Sequence, residues 1–184
     1  MAQPVIEGGT GTRSFSTDEG AKLTEKKDPQ FKVRLPLLSE IFTKAHKGKV
    51  KKDKVKILKE ENCRALQQIC QWAYNPTIKS MLPEGTPPYV ENDAPEGTEH
   101  MLLRTEGDKL WHFVSTGDKP ANPTLQSTQR ERMFIRLLEG LHKDEAELLI
   151  NVKDKRLHQV YKGVSSDVVK EAFDWTEDFK VKGV

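Results

Sequence analysis

A dense run of lysines lies between residues 44 and 59, where the sequence reads KAHKGKVKKDKVKILK. It holds eight lysines and one acidic residue, Asp53. Lysine ammonium groups neutralise phosphates and release counterions from nucleic acids, so the run predicts polyanion binding. A solvated helix face is the alternative, although ordinary surfaces mix the two signs of charge more evenly. The predicted phosphate-contacting residues of this run are Lys47, Gly48, Lys49, Lys51, Lys52 and Lys54.

A second basic segment precedes the last predicted helix. Free backbone amides and serine hydroxyls at a helix N-terminus suit a phosphate group, and Ser165 and Ser166 offer both. The alternative is structural, with Gly163 ending one helix and a serine capping the next. Asp167, close to the same position, opposes an anion. The predicted contacts of this segment are Lys155, Arg156, Lys162, Gly163, Ser165 and Ser166.

The sequence contains no recognisable set of catalytic residues. Its five histidines have no nucleophile at a known spacing, and it has neither a glycine-rich phosphate loop nor a cluster of metal ligands. Cys63 and Cys70 would lie roughly 10 Å apart on one helix, too far for a disulfide, which predicts reduced thiols in a cytoplasmic protein. We therefore expect a binding protein without a cofactor or a bound metal, and not an enzyme.

Four amphipathic segments must position the basic residues. Adjacent apolar pairs recur every four positions in residues 37–45, 65–74, 133–141 and 168–173, the pattern of helices with one buried face. The proline-rich sequence MLPEGTPPYVENDAPEG predicts a long irregular connection in the middle of the chain. The next segment, MLLRTEGDKLWHFV, fits a helix or a β-hairpin. The helix is favoured because no other segment predicts a sheet for a hairpin to join.

The predicted fold class is all-α, a compact bundle of short amphipathic helices. Residues 1–34 are rich in Gly, Ser, Thr and charged residues, which predicts a flexible tail. The predicted helical domain comprises residues 35–175. Residues 176–184 are predicted to form a frayed C-terminus. The first twenty residues lack the basic and apolar regions of a secretion signal, and no window is apolar enough to span a membrane. A cytoplasmic location follows as an expectation.

Two blocks of the sequence resemble the N-terminal helical DNA-binding domain of phage-type ATP-dependent DNA ligases. They are LLSEIFTKAHKGKVKKDKVKILKE with the following helical segment, and LLEGLHKDEAELLINVKDKRLHQVYKGVSSDVVKEAF. In that family the domain is a helical bundle that holds duplex DNA through its sugar–phosphate backbone, largely along the minor groove. The resemblance implies DNA contacts at residues 48–52 and 163–166. It implies no ligation, because the chain lacks the Lys-x-Asp-Gly adenylation motif.

The chain is also similar to uncharacterised proteins of large tailed phages of marine cyanobacteria. Together these features predict a non-catalytic protein that binds the backbone of double-stranded DNA, as an accessory factor of phage replication, repair or transcription in the host cytoplasm. The alternative is a protein–protein adaptor of a phage replication, transcription or virion assembly that does not touch DNA. The DNA-binding hypothesis requires the two basic segments to lie on the same side of the fold.

Overall fold

The computed structural model describes residues 34–95, 98 and 100–182 of the chain. These described residues form eight α-helices, one 3-10 helix and three short strands. The α-helices are α1 (Leu38–Lys47), α2 (Lys51–Glu60), α3 (Arg64–Tyr74), α4 (Leu103–Glu106), α5 (Ser127–Gly140), α6 (Lys143–Lys153), α7 (Leu157–Val160) and α8 (Ser166–Ala172). The 3-10 helix is Gly107–Phe113, and the strands are β1 (Ile78–Ser80), β2 (Val114–Thr116) and β3 (Lys119–Pro120).

The predicted amphipathic stripes form the core. Ile41 and Phe42 of α1 are fully buried, and Trp72 of α3 is nearly so. Trp72 stacks on Phe113 at 6.3 Å between ring centroids, and Phe113 meets Phe134 edge-on at 5.2 Å. Each such side chain contributes about 1.5–3 kcal/mol when it leaves water. The mostly helical fold is therefore confirmed, and among the described residues no helix is long and apolar enough to cross a membrane.

A three-stranded antiparallel sheet corrects the strictly all-α prediction. Its order is β1-β2-β3, with Ile78 opposite Thr116 and Ser115 opposite Pro120. Strands of two or three residues are too short to show an alternating apolar pattern, so no periodic signal predicts them. The sheet lies at the end of α3 and packs beside the 3-10 helix.

The helix favoured for the segment 101–114, capped by Asp108 and carrying Leu110, Trp111 and Val114, is replaced by three elements. The four-residue helix α4 continues into the 3-10 helix, and Val114 then starts β2. Gly107, between the two helices, packs so closely on α3 that a Cβ there would lie 2.6 Å from the Cβ of Ala65. Leu110 and Phe113 are buried at the three-residue spacing of a 3-10 helix, whereas Trp111 is 44% exposed.

The described part of the proline-rich connection, residues 81–95, contains neither helix nor strand, as predicted. Its backbone is nevertheless hydrogen-bonded to side chains at the C-terminal end of α6. The Lys153 ammonium donates to the Pro83 carbonyl at 2.7 Å, and the Gly85 amide donates to the Asp154 carboxylate at 3.2 Å. Side chains at the end of α6 thus form hydrogen bonds with backbone groups that have no partner in a helix or a β-sheet.

The described part of the expected frayed C-terminus, residues 176–182, folds back on the domain. Trp175 and Val181 form an antiparallel bridge, and the Lys182 amide donates to the Asp174 carbonyl at 2.9 Å. Phe179 is buried, and its carbonyl accepts a 2.7 Å hydrogen bond from Gln71 of α3. An isolated aromatic residue in a charged segment gave no periodic signal for this packing. The predicted tail, apart from Arg34, and the last two residues lie outside the described residues.

Candidate nucleic-acid interface

Two turns from distant parts of the sequence are linked through residues of α1 and α2 that flank the first turn. The first, called here the α1–α2 turn, comprises residues 48–50, and the second, the α7–α8 turn, comprises residues 161–165. The Nδ1 atom of His46, at the end of α1, lies 2.9 Å from the carbonyl oxygen of Lys162. The tautomer that carries its proton on Nδ1 donates a hydrogen bond there. The two predicted basic segments are therefore brought together.

The Lys54 side chain packs against a glycine of each turn, Gly48 and Gly163. Its side chain is 9% exposed, and its ammonium donates a 3.2 Å hydrogen bond to the carbonyl of His46. A Cβ at Gly163 would lie 2.7 Å from the Lys54 Nζ atom, so the α7–α8 turn passes directly over this ammonium. Lys54 was predicted to contact phosphate, but its burial makes it a residue that positions the two turns.

Gly163 adopts a backbone conformation that favours glycine. Its φ is +84°, in the left-handed region, where a side chain is strained. The next residue, Val164, is fully buried, and its carbonyl accepts a 2.5 Å hydrogen bond from the hydroxyl of Tyr74. Burial raises the pKa of Tyr74, so this hydroxyl stays a proton donor. The turn is thus held by α3 as well as by Lys54.

Two ion pairs join α2 to α8 and to Asp174, just after α8. The Lys51 ammonium lies 2.7 Å from the Glu171 carboxylate, and Lys59 lies 3.6 Å from Asp174. The hydrogen bond between Lys51 and Glu171 raises the pKa of the lysine and lowers the pKa of the carboxyl. The charge of Lys51 is therefore largely offset by its partner. Both pairs are exposed to solvent, and such pairs contribute little to stability.

Four lysines among the predicted contact residues are exposed and have no ion-pair partner among the described residues. They are Lys47, Lys49, Lys52 and Lys162. The described residues provide no side-chain cap for α2, whose N-cap is Val50, or for α8, whose N-cap is Ser165. The hydroxyl of Ser165 does not make the expected capping bond and faces solvent with the turn. Exposed lysines thus occur in and beside the turns that precede two helices without side-chain caps, although Asp53 and Asp167 lower the local positive charge.

Lys155 does not belong to this surface. Its ammonium donates to the carbonyls of Trp72 and Asn75, the latter at 2.9 Å, and so satisfies the C-terminal end of α3. Burial lowers the pKa of this lysine to about 8. The Lys155 ammonium is held at the end of α3 and already donates hydrogen bonds there. It is therefore a poor phosphate ligand. Arg156 is exposed but precedes α7, one helix before the α7–α8 turn.

Lys155→Met is expected to lower the free energy of unfolding by about 1–3 kcal/mol, because two carbonyls at the end of α3 lose their donor. The affinity for duplex DNA should remain that of the parent protein. Urea unfolding and duplex titration measure the two quantities. Lys79→Met, at an exposed lysine of β1, is the matched control and should change neither. A large loss of duplex affinity without a loss of stability would return Lys155 to the DNA-binding surface.

Two residues that organise the surface were not predicted from the sequence. In the sequence, His46 has no nucleophile at a known spacing, and Tyr74 belongs to the apolar stripe of residues 65–74. Both act through contacts with residues 162 and 164, about 90 to 116 positions away in the chain. Each residue lies at the C-terminal end of its helix and carries a polar group at the end of its side chain. Such a group can reach a backbone carbonyl of another segment.

Two other histidines have structural partners. The Nδ1 atom of His142 accepts from the Asp144 amide at 3.2 Å and so caps α6. His112 lies 2.8 Å from the side-chain amide of Asn122, and burial lowers its pKa. Within the described ranges no three side chains of His, Cys, Asp or Glu are grouped to hold a metal ion.

Comparison with known proteins gives one finding. No curated protein matches the chain, and no solved structure matches it. A family model matches residues 41–159, from within α1 to within α7. The matched range includes the α1–α2 turn and ends before the α7–α8 turn. Because the match covers more than half of the sequence, the chain belongs to the Family of unknown function (DUF6433).

Proposed function

We propose that the protein binds double-stranded DNA through the surface formed by the α1–α2 and α7–α8 turns. The bound group is the sugar–phosphate backbone, and base sequence has little influence on the affinity. The protein acts by binding and not by catalysis, as an accessory factor of phage replication, repair or transcription.

The observation that carries this proposal is the contact between the two turns. His46 hydrogen-bonds to the Lys162 carbonyl, and Lys54 fills the space beneath both turns. Segments about 110 residues apart therefore present their exposed lysines from one continuous region. Neighbouring phosphates along a DNA strand repeat at short intervals, so a cluster of ammonium groups neutralises several at once.

The N-terminus of α2 supports the same proposal. This helix begins at the α1–α2 turn, and its first amides lack a side-chain acceptor. Such amides donate to anions, and the helix dipole favours negative charge at that end. Phosphate oxygens supply both the acceptor and the charge.

Salt titration of duplex binding tests the proposal. With four exposed lysines as contacts, the logarithm of the association constant should fall with the logarithm of salt concentration with a slope of about −3 to −4. Fluorescence anisotropy of a labelled duplex measures this slope with the full chain. Duplexes of unrelated sequence should give nearly equal constants, since phosphate contacts carry no sequence information.

A protein that shows no duplex affinity at physiological salt would contradict the proposal. Recovery of one stoichiometric protein partner under the same conditions would then favour the adaptor function. A strong preference for one duplex sequence would show that base contacts, and not the phosphate surface alone, determine binding.

A further inference from the structure

A second surface lies on α5, away from the two turns. It is an open groove of about 490 Å³ between α5 and the segment formed by α4 and the 3-10 helix. Its floor is apolar and consists of Met101, Phe113, Met133 and Leu137. Methionine side chains adapt to partners of different shape, and apolar grooves of this kind accept bulky side chains of a peptide.

Two arginines flank the apolar floor. Arg132 and Arg136 both line the groove and lie one helical turn apart on α5. Both are exposed, and neither has an ion-pair partner among the described residues. Guanidinium groups bind carboxylates with two parallel hydrogen bonds, so the pair can hold two acidic groups at helical spacing.

The carboxylates of the opposite wall and the one next to Arg132 have other partners. Glu106, on the opposite wall, pairs with Lys109 at 2.5 Å. Glu131 accepts a hydrogen bond from Ser127 at 3.1 Å, and Asp108 pairs with Arg64 at 3.0 Å. Lys109 and Arg64 therefore offset the charges of Glu106 and Asp108. Glu131 keeps its charge but forms no ion pair with Arg132 or Arg136 among the described residues.

We propose that this groove binds a short acidic and hydrophobic peptide segment of a partner protein, with a bulky apolar side chain on the methionine floor and carboxylates on Arg132 and Arg136. This surface is independent of the proposed DNA-binding surface. A nucleic-acid backbone fits it poorly, because phosphates would leave the apolar floor without a contact. A peptide that combines both kinds of side chain covers the floor and the arginines together.

Selection of a random peptide library on the full-length protein tests the proposal. The enriched sequences should share a bulky apolar residue with at least one nearby Asp or Glu. The double variant Arg132→Glu/Arg136→Glu should bind a synthetic peptide of the enriched sequence at least about tenfold more weakly, since charge-assisted hydrogen bonds are lost and like charges meet. Isothermal titration calorimetry gives the dissociation constants.

Lys79→Glu/Lys119→Glu is the matched control, with the same change of net charge on exposed lysines of β1 and β3. It should bind the peptide as the parent does, and circular dichroism should show both variants folded. Failure to enrich any peptide, or equal binding by the arginine variant, would overturn the proposal. The proposal would also be overturned if the arginine variant lost as much duplex affinity as a variant with reversed charges at the lysines of the two turns.

Discussion

Reversing the charge of Lys49, Lys52 and Lys162 together is expected to lower the affinity for duplex DNA at least about 100-fold at about 0.1 M salt. Each lysine that neutralises a phosphate contributes nearly a tenfold gain through counterion release at that concentration. The reversed charges also repel the backbone. The salt slope should become shallower by about three, one for each lost contact. Anisotropy titrations of one labelled duplex at several salt concentrations measure both quantities.

The matched control reverses Lys79, Lys119 and Lys180, which are exposed on the sheet and the C-terminal segment. It changes the formal net charge of the protein by the same amount as the first triple variant. If a general attraction by net charge caused binding, the two triple variants would lose affinity equally. Parent-like affinity in the Lys49, Lys52 and Lys162 variant would show that DNA does not contact the two turns.

Glu145→Ala is expected to lower the free energy of unfolding by about 3–5 kcal/mol. The Glu145 carboxylate is 1% exposed and accepts 2.9 Å hydrogen bonds from the amides of Leu38 and Leu103. These amides begin α1 and α4, so one side chain of α6 satisfies the N-termini of two other helices. Its removal leaves two buried amides without their acceptor. The expected loss is large because the whole free energy of unfolding of a domain is only about 5–15 kcal/mol. Urea unfolding followed by circular dichroism measures the change.

Glu147→Ala is the control on the same helix, because the Glu147 side chain is exposed. It should change stability by no more than about 0.5 kcal/mol. Glu145→Gln keeps one acceptor oxygen and should give an intermediate loss. A loss below about 1 kcal/mol for Glu145→Ala would show that other groups satisfy the two helix N-termini.

Much of the fold could be predicted from the local pattern of apolar residues. The buried stripes of α1, α3, α5 and α8 follow helical spacing, because a helix that packs on one face must repeat its apolar positions every three or four residues. The irregular middle segment followed from its prolines. The sheet could not be predicted in this way, since β1 has three residues and gains its stability from pairing with β2.

For the candidate site, too, local sequence predicts some features, and contacts between distant segments determine the others. The density of lysines near Gly48 is visible in the sequence, but the roles of individual lysines depend on distant partners. Lys54 is buried by the α7–α8 turn, Lys51 pairs with Glu171, and Lys155 donates to the end of α3. Lysine has a long flexible stem, so its position along the chain does not fix where its ammonium lies.

The packing of α2 against α8 also sets when the proposed DNA-binding surface is assembled during synthesis. Helices α1 and α2 leave the ribosome early, but their partner turn is made only after residue 160 has been added. Contacts between such distant segments require the closure of a long loop, which slows folding relative to local helix formation. We expect the nascent chain to expose its lysine run before α8 covers the apolar face of α2. Only a chain that already includes α8 then holds these lysines in a fixed arrangement.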